Sequence, residues 1–283
     1  MQQQNSICDF SNSNSWVILS PIEQSIKRKI EAVGTPLKDW DIQINYGIKT
    51  GFNDAFIVST EKREEILANC QTEDERKRTA ELIRPILRGR DIKRYGYVDN
   101  GLYLINTHNG IKGRLPRINI NDYPAVKAHL DQYWDRIATR ADKGDTPYNL
   151  RNCAYLEDFS KQQIIWIELS DEPKFALVEN ITSVNTVFFM TGGHIPHLLG
   201  LLNSKLITWY FRHCIGTTSG VGTNRWLKYT IEQIPMAPTN QKLEELALSI
   251  TKCYDQEKNR DIDLLVCQLY DLDKDEISYI TDQ

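Results

Sequence analysis

The chain has 283 residues, of which 41% are hydrophobic and 25% charged, with a formal net charge of −4. That balance excludes a disordered or low-complexity class, the length suffices for one large core or two modest ones, and no apolar run approaches the roughly 20 residues of a membrane helix. Cys8, Cys70, Cys153, Cys214, Cys253 and Cys267 show neither metal spacing nor a small disulfide framework. Met1–Asn5 lacks the basic start and apolar stretch of a secretory signal. Reduced thiols in a cytoplasmic protein are expected.

Residues 1–15, rich in Gln, Asn and Ser, are expected to be a flexible linker. Ser20-Pro21-Ile22-Glu23 is a capping box with proline at the first helical position, and its helix should end near Gly34 in a left-handed cap. Residues 41–58 read as two short strands around a Lys49–Asp54 turn. Thr72-Glu73-Asp74-Glu75 is a second capping box, opening a helix that must stop before Pro85. From 86 to 192 the chain predicts a β-rich body, with apolar or alternating runs at 102–106, 163–169, 175–179 and 184–190. One helix, with Val126, Leu130, Trp134 and Ile137 at helical spacing, interrupts it. The polar loops 107–120 and 139–155 both carry arginines, and loops of that length are either functional or disordered.

An apolar helix is expected over 196–211, then a mobile Gly- and Thr-rich segment, Gly216–Arg225. Two amphipathic helices close the chain. One carries Leu243, Leu246, Ile250 and Tyr254, the other Ile262, Leu265, Val266 and Leu269; a short link near Lys258–Asp261 implies an antiparallel α-hairpin. The expected fold class is α+β, with a β-rich body over 16–238 and the helical hairpin over 239–283. No internal repeat is evident.

Charge is distributed unevenly. Residues 84–151 hold 13 Lys and Arg against 7 Asp and Glu, whereas residues 240–283 hold 5 against 11. A basic middle joined to an acidic tail suits a protein that meets phosphate on one face, although a solvated mixed-charge surface has the same composition. Three strings carry candidate contacts. Gly47–Phe56 contains Lys49, Thr50 and Asn53 between glycines, and reads either as a tight hairpin or as a ligand loop whose donors face phosphate or base edges; it lacks the Gly-Lys-Ser/Thr order of a phosphate-binding Walker loop. Arg84, Arg88, Arg90, Lys93 and Arg94 crowd ahead of Tyr95 and Tyr97. Thr217–Lys228 gathers Asn224, Arg225 and Lys228 with glycines and hydroxyl groups.

Enzymatic readings are weaker. Asp158 with Glu172-Pro173-Lys174 has the order of a metal-nuclease triad, but the proline cannot donate to a central ladder. His194 and His197 stand three apart with no carboxylate or cysteine beside them in sequence to complete a metal site, and read as satisfied histidines. There is no Gly-x-Ser-x-Gly elbow, no Gly-x-Gly-x-x-Gly turn and no Asn-Pro-Pro-Tyr string to hold a flipped adenine.

Five strings in order resemble the TaqI-like C-terminal specificity domain of adenine-N6 DNA methyltransferases and fused type IIG restriction enzymes. They are Trp16–Pro21 with Gly47–Phe56; Leu82–Ile92; Asp142-Lys143-Gly144 with Tyr148-Asn149-Leu150-Arg151; Leu198–Ser204 with Ile234-Pro235; and Leu264–Ile277. The resemblance implies a partly open, double-β-helix-like body that reads its target in the DNA major groove, and the family strings are largely scaffold. It implies no cofactor in this chain, S-adenosylmethionine belonging to a methyltransferase domain absent from the sequence. That domain, or a nuclease, would lie in the same parent chain or in a separate subunit. The expected DNA contacts come from chemistry: Lys49, Arg88, Arg90, Arg94, Lys112, Arg114 and Arg117 mostly toward phosphates, Asn53, Asn149, Arg151, Asn224 and Arg225 toward base edges, and Thr50, Lys93 and Lys228 as further contacts. The competing readings are a metal-dependent nuclease on Asp158, Glu172 and Lys174, and a protein-interaction adaptor using the C-terminal helices.

Overall fold

A computed structural model describes residues 19–215, 218–219 and 223–282, with side chains omitted at 218, 219 and 223. The expected linker, the Trp16–Ile18 string and most of Gly216–Thr223 fall outside the described residues. Ser20 caps α1 (Pro21–Val33), Glu23 reciprocating at the cap backbone N–H. Gly34 is extended rather than left-handed; glycine is required there by packing, since a Cβ would stand 2.6 Å from Pro235 Cβ. The chain continues through β1 (Thr35–Pro36) to β2 (Ile42–Tyr46).

The 41–58 segment is not a hairpin. A one-turn helix, α2 (Asn53–Phe56), separates β2 from β3 (Ile57–Ser59), and these strands enter different sheets. A helix that the sequence pattern did not declare, α3 (Thr60–Ala68), precedes α4 (Glu73–Leu82), the latter capped by Thr72 as expected. Next come β4 (Ile83–Leu87) and β5 (Leu102–Ile105), then α5 (Pro124–Asp131) and α6 (Trp134–Thr139). The one helix expected around Val126–Ile137 is thus broken in two, and Trp134 is 43% exposed.

The body is completed by β6 (Gln162–Ile167), β7 (Leu169–Ser170), β8 (Ala176–Glu179), β9 (Thr182–Ser183) and β10 (Val187–Gly192). The apolar helix of 196–211 is two helices, α7 (Ile195–Asn203) and α8 (Lys205–Tyr210), because Ser204 leaves helical geometry and caps the second through its hydroxyl. After β11 (Thr218–Ser219), β12 (Thr223–Arg225), α9 (Lys228–Ile231) and β13 (Pro235–Met236), the tail folds as three helices rather than two: α10 (Gln241–Lys252), α11 (Gln256–Leu269) and α12 (Lys274–Thr281). The third is tied to α1 by its buried Glu276, which accepts from Lys29 Nζ at 2.6 Å and Ser25 Oγ at 2.7 Å.

The organising element is an antiparallel sheet in the order β2-β10-β6-β8. Both its faces are covered, which is why β6 and β10 are apolar at successive positions instead of alternating. Ile44, Ile164, Trp166, Phe188 and Met190 face a core shared with α1, α7, α8 and the three tail helices. Ile165, Val187 and Phe189 face a second core shared with α2–α6 and a smaller sheet in the order β3-β5-β4-β9. Leu243, Ile250, Ile262 and Val266 belong to the first core, so the packing is continuous across residue 238. The architecture is mixed α+β with several small sheets.

Both histidines singled out by spacing have internal partners. His197 is fully buried, donating from Nε2 to the Ala237 carbonyl at 3.0 Å and accepting at Nδ1 from Asn240 N–H at 3.4 Å. His194 Nδ1 lies 3.0 Å from Glu244. Burial pushes His197, His129 and His108 below the ordinary histidine range. In the unfolded chain these groups take up protons near pH 6.5, whereas the folded chain resists until lower pH. Their contribution to stability is therefore complete above about pH 6.5 and is lost as pH falls through that value toward the folded pKa values. Urea midpoints measured between pH 7.5 and 5.5 should decline, and His197→Gln, which keeps a donor toward Ala237, should flatten the decline. A flat profile in the parent would refute the assignment.

Candidate nucleic-acid interface

Gly47 and Gly89 mark where two basic loops leave the same end of the central sheet. Gly47 N–H bonds the Val187 carbonyl, and a Cβ on Gly89 would stand 2.7 Å from Ile167 Cγ2, Ile167 being the strand partner of Val187. A Cβ on Gly47 would come within 2.2 Å of the Val184 carbonyl oxygen. Gly51 sits at φ +72°, where only glycine is comfortable. Both glycines of the Gly47–Phe56 string are thus explained by packing and by the turn, with no ligand required.

That loop meets the two long polar loops through carboxylates. Asp142 binds Lys49 Nζ at 3.0 Å and Arg151 at 3.2 Å, and hydrogen bonding from Lys49 holds its carboxyl below the usual range. Asp145 receives Arg117 at 3.1 Å and Asn109 Nδ2 at 3.0 Å. Arg114 pairs with Glu157. Across the sheet end, Arg225 grips Glu168 at 2.6 Å while remaining 43% exposed. Lys228 donates to the Ile44 carbonyl at 3.0 Å. Exposed pairs of this kind are worth about 0–1 kcal/mol each, so an incoming phosphate can displace the carboxylate at little cost. Arg90, Lys93 and Lys112 are exposed and form no ion pair among the described residues.

Five expected contact residues have internal partners instead. Thr50 is 2% exposed and donates to Asn53 Oδ1 at 2.5 Å, leaving Asn53 itself exposed at the start of α2. Arg88 spends its guanidinium on Asp91 at 3.1 Å; burial pushes that carboxyl up, but the Arg88, backbone and Asn100 donors together hold it below its ordinary value. Arg94 reaches inward to the Asn203 carbonyl. Asn149 is 1% exposed and donates to the carbonyls of Thr107, His108 and Ile118, accepting from Thr146. Asn224 is buried against the Asp171 carbonyl. Amide and guanidinium groups can read bases, and the same versatility makes them good internal fasteners.

Sequence reading missed the residue that builds the 139–155 loop. Arg140, 7% exposed, donates to the carbonyls of Ile137, Asp142, Pro147 and Asn149 and lies 4.4 Å over the Phe56 ring. Burial pushes its pKa down to about 10, which leaves it charged at neutral pH. Its partners are main-chain oxygens, so no side-chain pattern advertises it. Tyr46, 50% exposed at the same sheet end and 4.7 Å from Phe188, was also passed over.

The nuclease triad does not assemble. Asp158 pairs with Lys161 at the start of β6, and Glu172 follows β7 beyond its far end, roughly 20 Å away at strand rise. Among the described residues no group of three or more His, Cys, Asp or Glu is placed to hold a metal, and no helix is long and apolar enough to cross a membrane.

No curated protein matches the chain. Among solved structures it resembles the type IIL restriction-modification enzyme MmeI, determined in complex with DNA, with a TM-score of 0.61 and 14% identity over 88% of this chain and 36% of that one. It also resembles the type IIG restriction endonuclease BpuSI, with a TM-score of 0.52 and 11% identity over 89% of this chain and 33% of that one. The chain therefore spans about a third of the length of either enzyme. Residues 84–236, which hold β4 through β13 and most of the cationic loops, match the family described as the TaqI-like C-terminal specificity domain, and the chain belongs to that family.

Proposed function

We propose that the chain reads the DNA target sequence for a restriction-modification enzyme. The observation that carries this is the convergence of three loops, around Lys49, 109–117 and 142–151, on one cation-rich surface pinned by the half-buried Asp142 and the exposed Asp145. Membership of a specificity-domain family and likeness to an enzyme solved on DNA support it. In this reading a body over 16–238 holds the double-β-helix-like recognition surface, and the tail from 239 acts as a helical brace. A methyltransferase or nuclease domain, in the same parent chain or a separate subunit, supplies S-adenosylmethionine and the chemistry. Lys49, Arg90, Lys93, Lys112, Arg114, Arg117 and Lys228 meet phosphates; Asn53, Arg151 and Arg225 meet base edges.

Duplexes selected by the chain from a randomised pool give the cognate for the test. Arg90→Ala should weaken cognate and random duplexes alike and lower the salt slope by about 0.9, the value of one phosphate contact. Arg225→Ala should weaken the cognate by roughly 1–3 kcal/mol and leave random DNA nearly unchanged. S-adenosylmethionine should not raise the melting temperature, since a ligand that does not bind cannot shift unfolding. Equal losses on both duplexes for Arg225→Ala would reassign it to the backbone, and no selectable duplex at all would remove the reading.

A further inference from the structure

A second cationic site lies away from the loop cluster, in a cleft of about 200 Å³ between α8 and the Glu172–Pro173 turn. Arg94, Arg212, Lys205 and His213 line it, with Glu172 as the one carboxylate in the lining. At the loop cluster nearly every guanidinium is matched to a carboxylate, but here the two arginines are held by neutral groups: Arg94 donates to the Asn203 carbonyl and Arg212 to the Asp171 carbonyl. Their positive charge is positioned without being cancelled. Asp263 is within electrostatic reach of Arg94, but its carboxylate is engaged by the Lys205 backbone N–H and the Asn259 amide. Trp209 is 3% exposed and stacked on His213 with ring centres 5.1 Å apart.

We infer that this cleft binds a phosphate-type oxyanion, which faces the Arg212 and Arg94 guanidinium groups beside the Trp209–His213 stack. A tetrahedral oxyanion supplies acceptors in several directions at once, as two guanidinium groups require. The site uses none of the residues assigned to target reading, so either assignment can fail without the other.

The test is a titration of inorganic phosphate into the full chain, followed through the indole N–H resonances. The chain has six tryptophans, and Trp209→Phe assigns the signal by its loss. The Trp209 resonance should move saturably with phosphate and stay still with chloride at matched ionic strength. Arg212→Gln, a change at an exposed side chain, should weaken the phosphate midpoint about tenfold. Should Trp209→Phe fail to fold, saturable movement of a single indole signal in the parent and its weakening in Arg212→Gln decide the matter. Random duplex DNA separates the sources: if it moves the same resonance and competes with phosphate, the oxyanion is a DNA backbone phosphodiester; if it leaves the resonance unmoved, the ligand is free phosphate or a phosphomonoester. No saturable shift, or a midpoint unchanged in Arg212→Gln, overturns the proposal.

Discussion

Val266→Asp is expected to unfold the chain or lower its melting temperature by at least 10 °C. Val266 is fully buried in the core shared by α11, α7 and the central sheet. An aspartate there has no donor in reach, so it either stays ionised without a partner or takes up a proton and still lacks hydrogen bonds. Either course costs several kcal/mol, a large share of the 5–15 kcal/mol by which domains are stable. In a chain of this size each kcal/mol shifts the midpoint by about 2–4 °C. Leu243→Asp, fully buried on α10, should behave alike, whereas Leu248→Asp on the same helix, 36% exposed, should melt within a few degrees of the parent. The contrast also locates the apolar stripe of α10. Sequence spacing placed it on Leu243, Leu246, Ile250 and Tyr254; Leu243, Ala247 and Ile250 are buried and Leu246 packs half-buried against the same core, but Tyr254 lies beyond the helix and is 55% exposed. Calorimetric scans of the three variants measure it, and Val266→Asp melting like the parent would mean that α11 does not pack as described.

Arg140→Met is expected to abolish cognate DNA binding and to destabilise the 139–155 loop, although Arg140 touches no DNA in our reading. Methionine keeps much of the contact over Phe56 but removes the donor to four carbonyls, of which that of Asn149 also accepts from the Gly144 N–H. Hydrogen bonds from a charged donor are worth about 1.5–3 kcal/mol each, and the buried oxygens would have to find water or move. Movement here displaces Asp142, and with it the carboxylate that sets Lys49 beside Arg151. Hydrogen exchange should rise across 140–150 while the central sheet keeps its protection. Intact cognate affinity in a variant with a loosened loop would show that this loop takes no part in recognition.

Whatever rests on local pattern was determined by the sequence. Ser20 and Thr72 announce their helices because a cap hydroxyl bonds a backbone N–H three residues on, a relation carried entirely within four residues. The strands of the central sheet are visible because two covered faces demand an unbroken apolar run. The family strings were legible because they are scaffold, and the Gly47 and Gly51 positions show why, one fitted against Ser183–Val184 and the other holding a positive φ. Tertiary structure alone decided which cations are available. Arg90 and Arg94 stand four residues apart with the same chemistry, yet one is exposed and the other reaches the Asn203 carbonyl, 109 residues on in sequence. Asn149 and Asn53 differ in the same way, because a polar side chain bonds whatever the fold brings to it, and its partners lie 31 to 42 residues away in sequence. Hydrophobic period is a property of neighbouring residues, whereas the pairing of a charge or an amide is set by long-range packing.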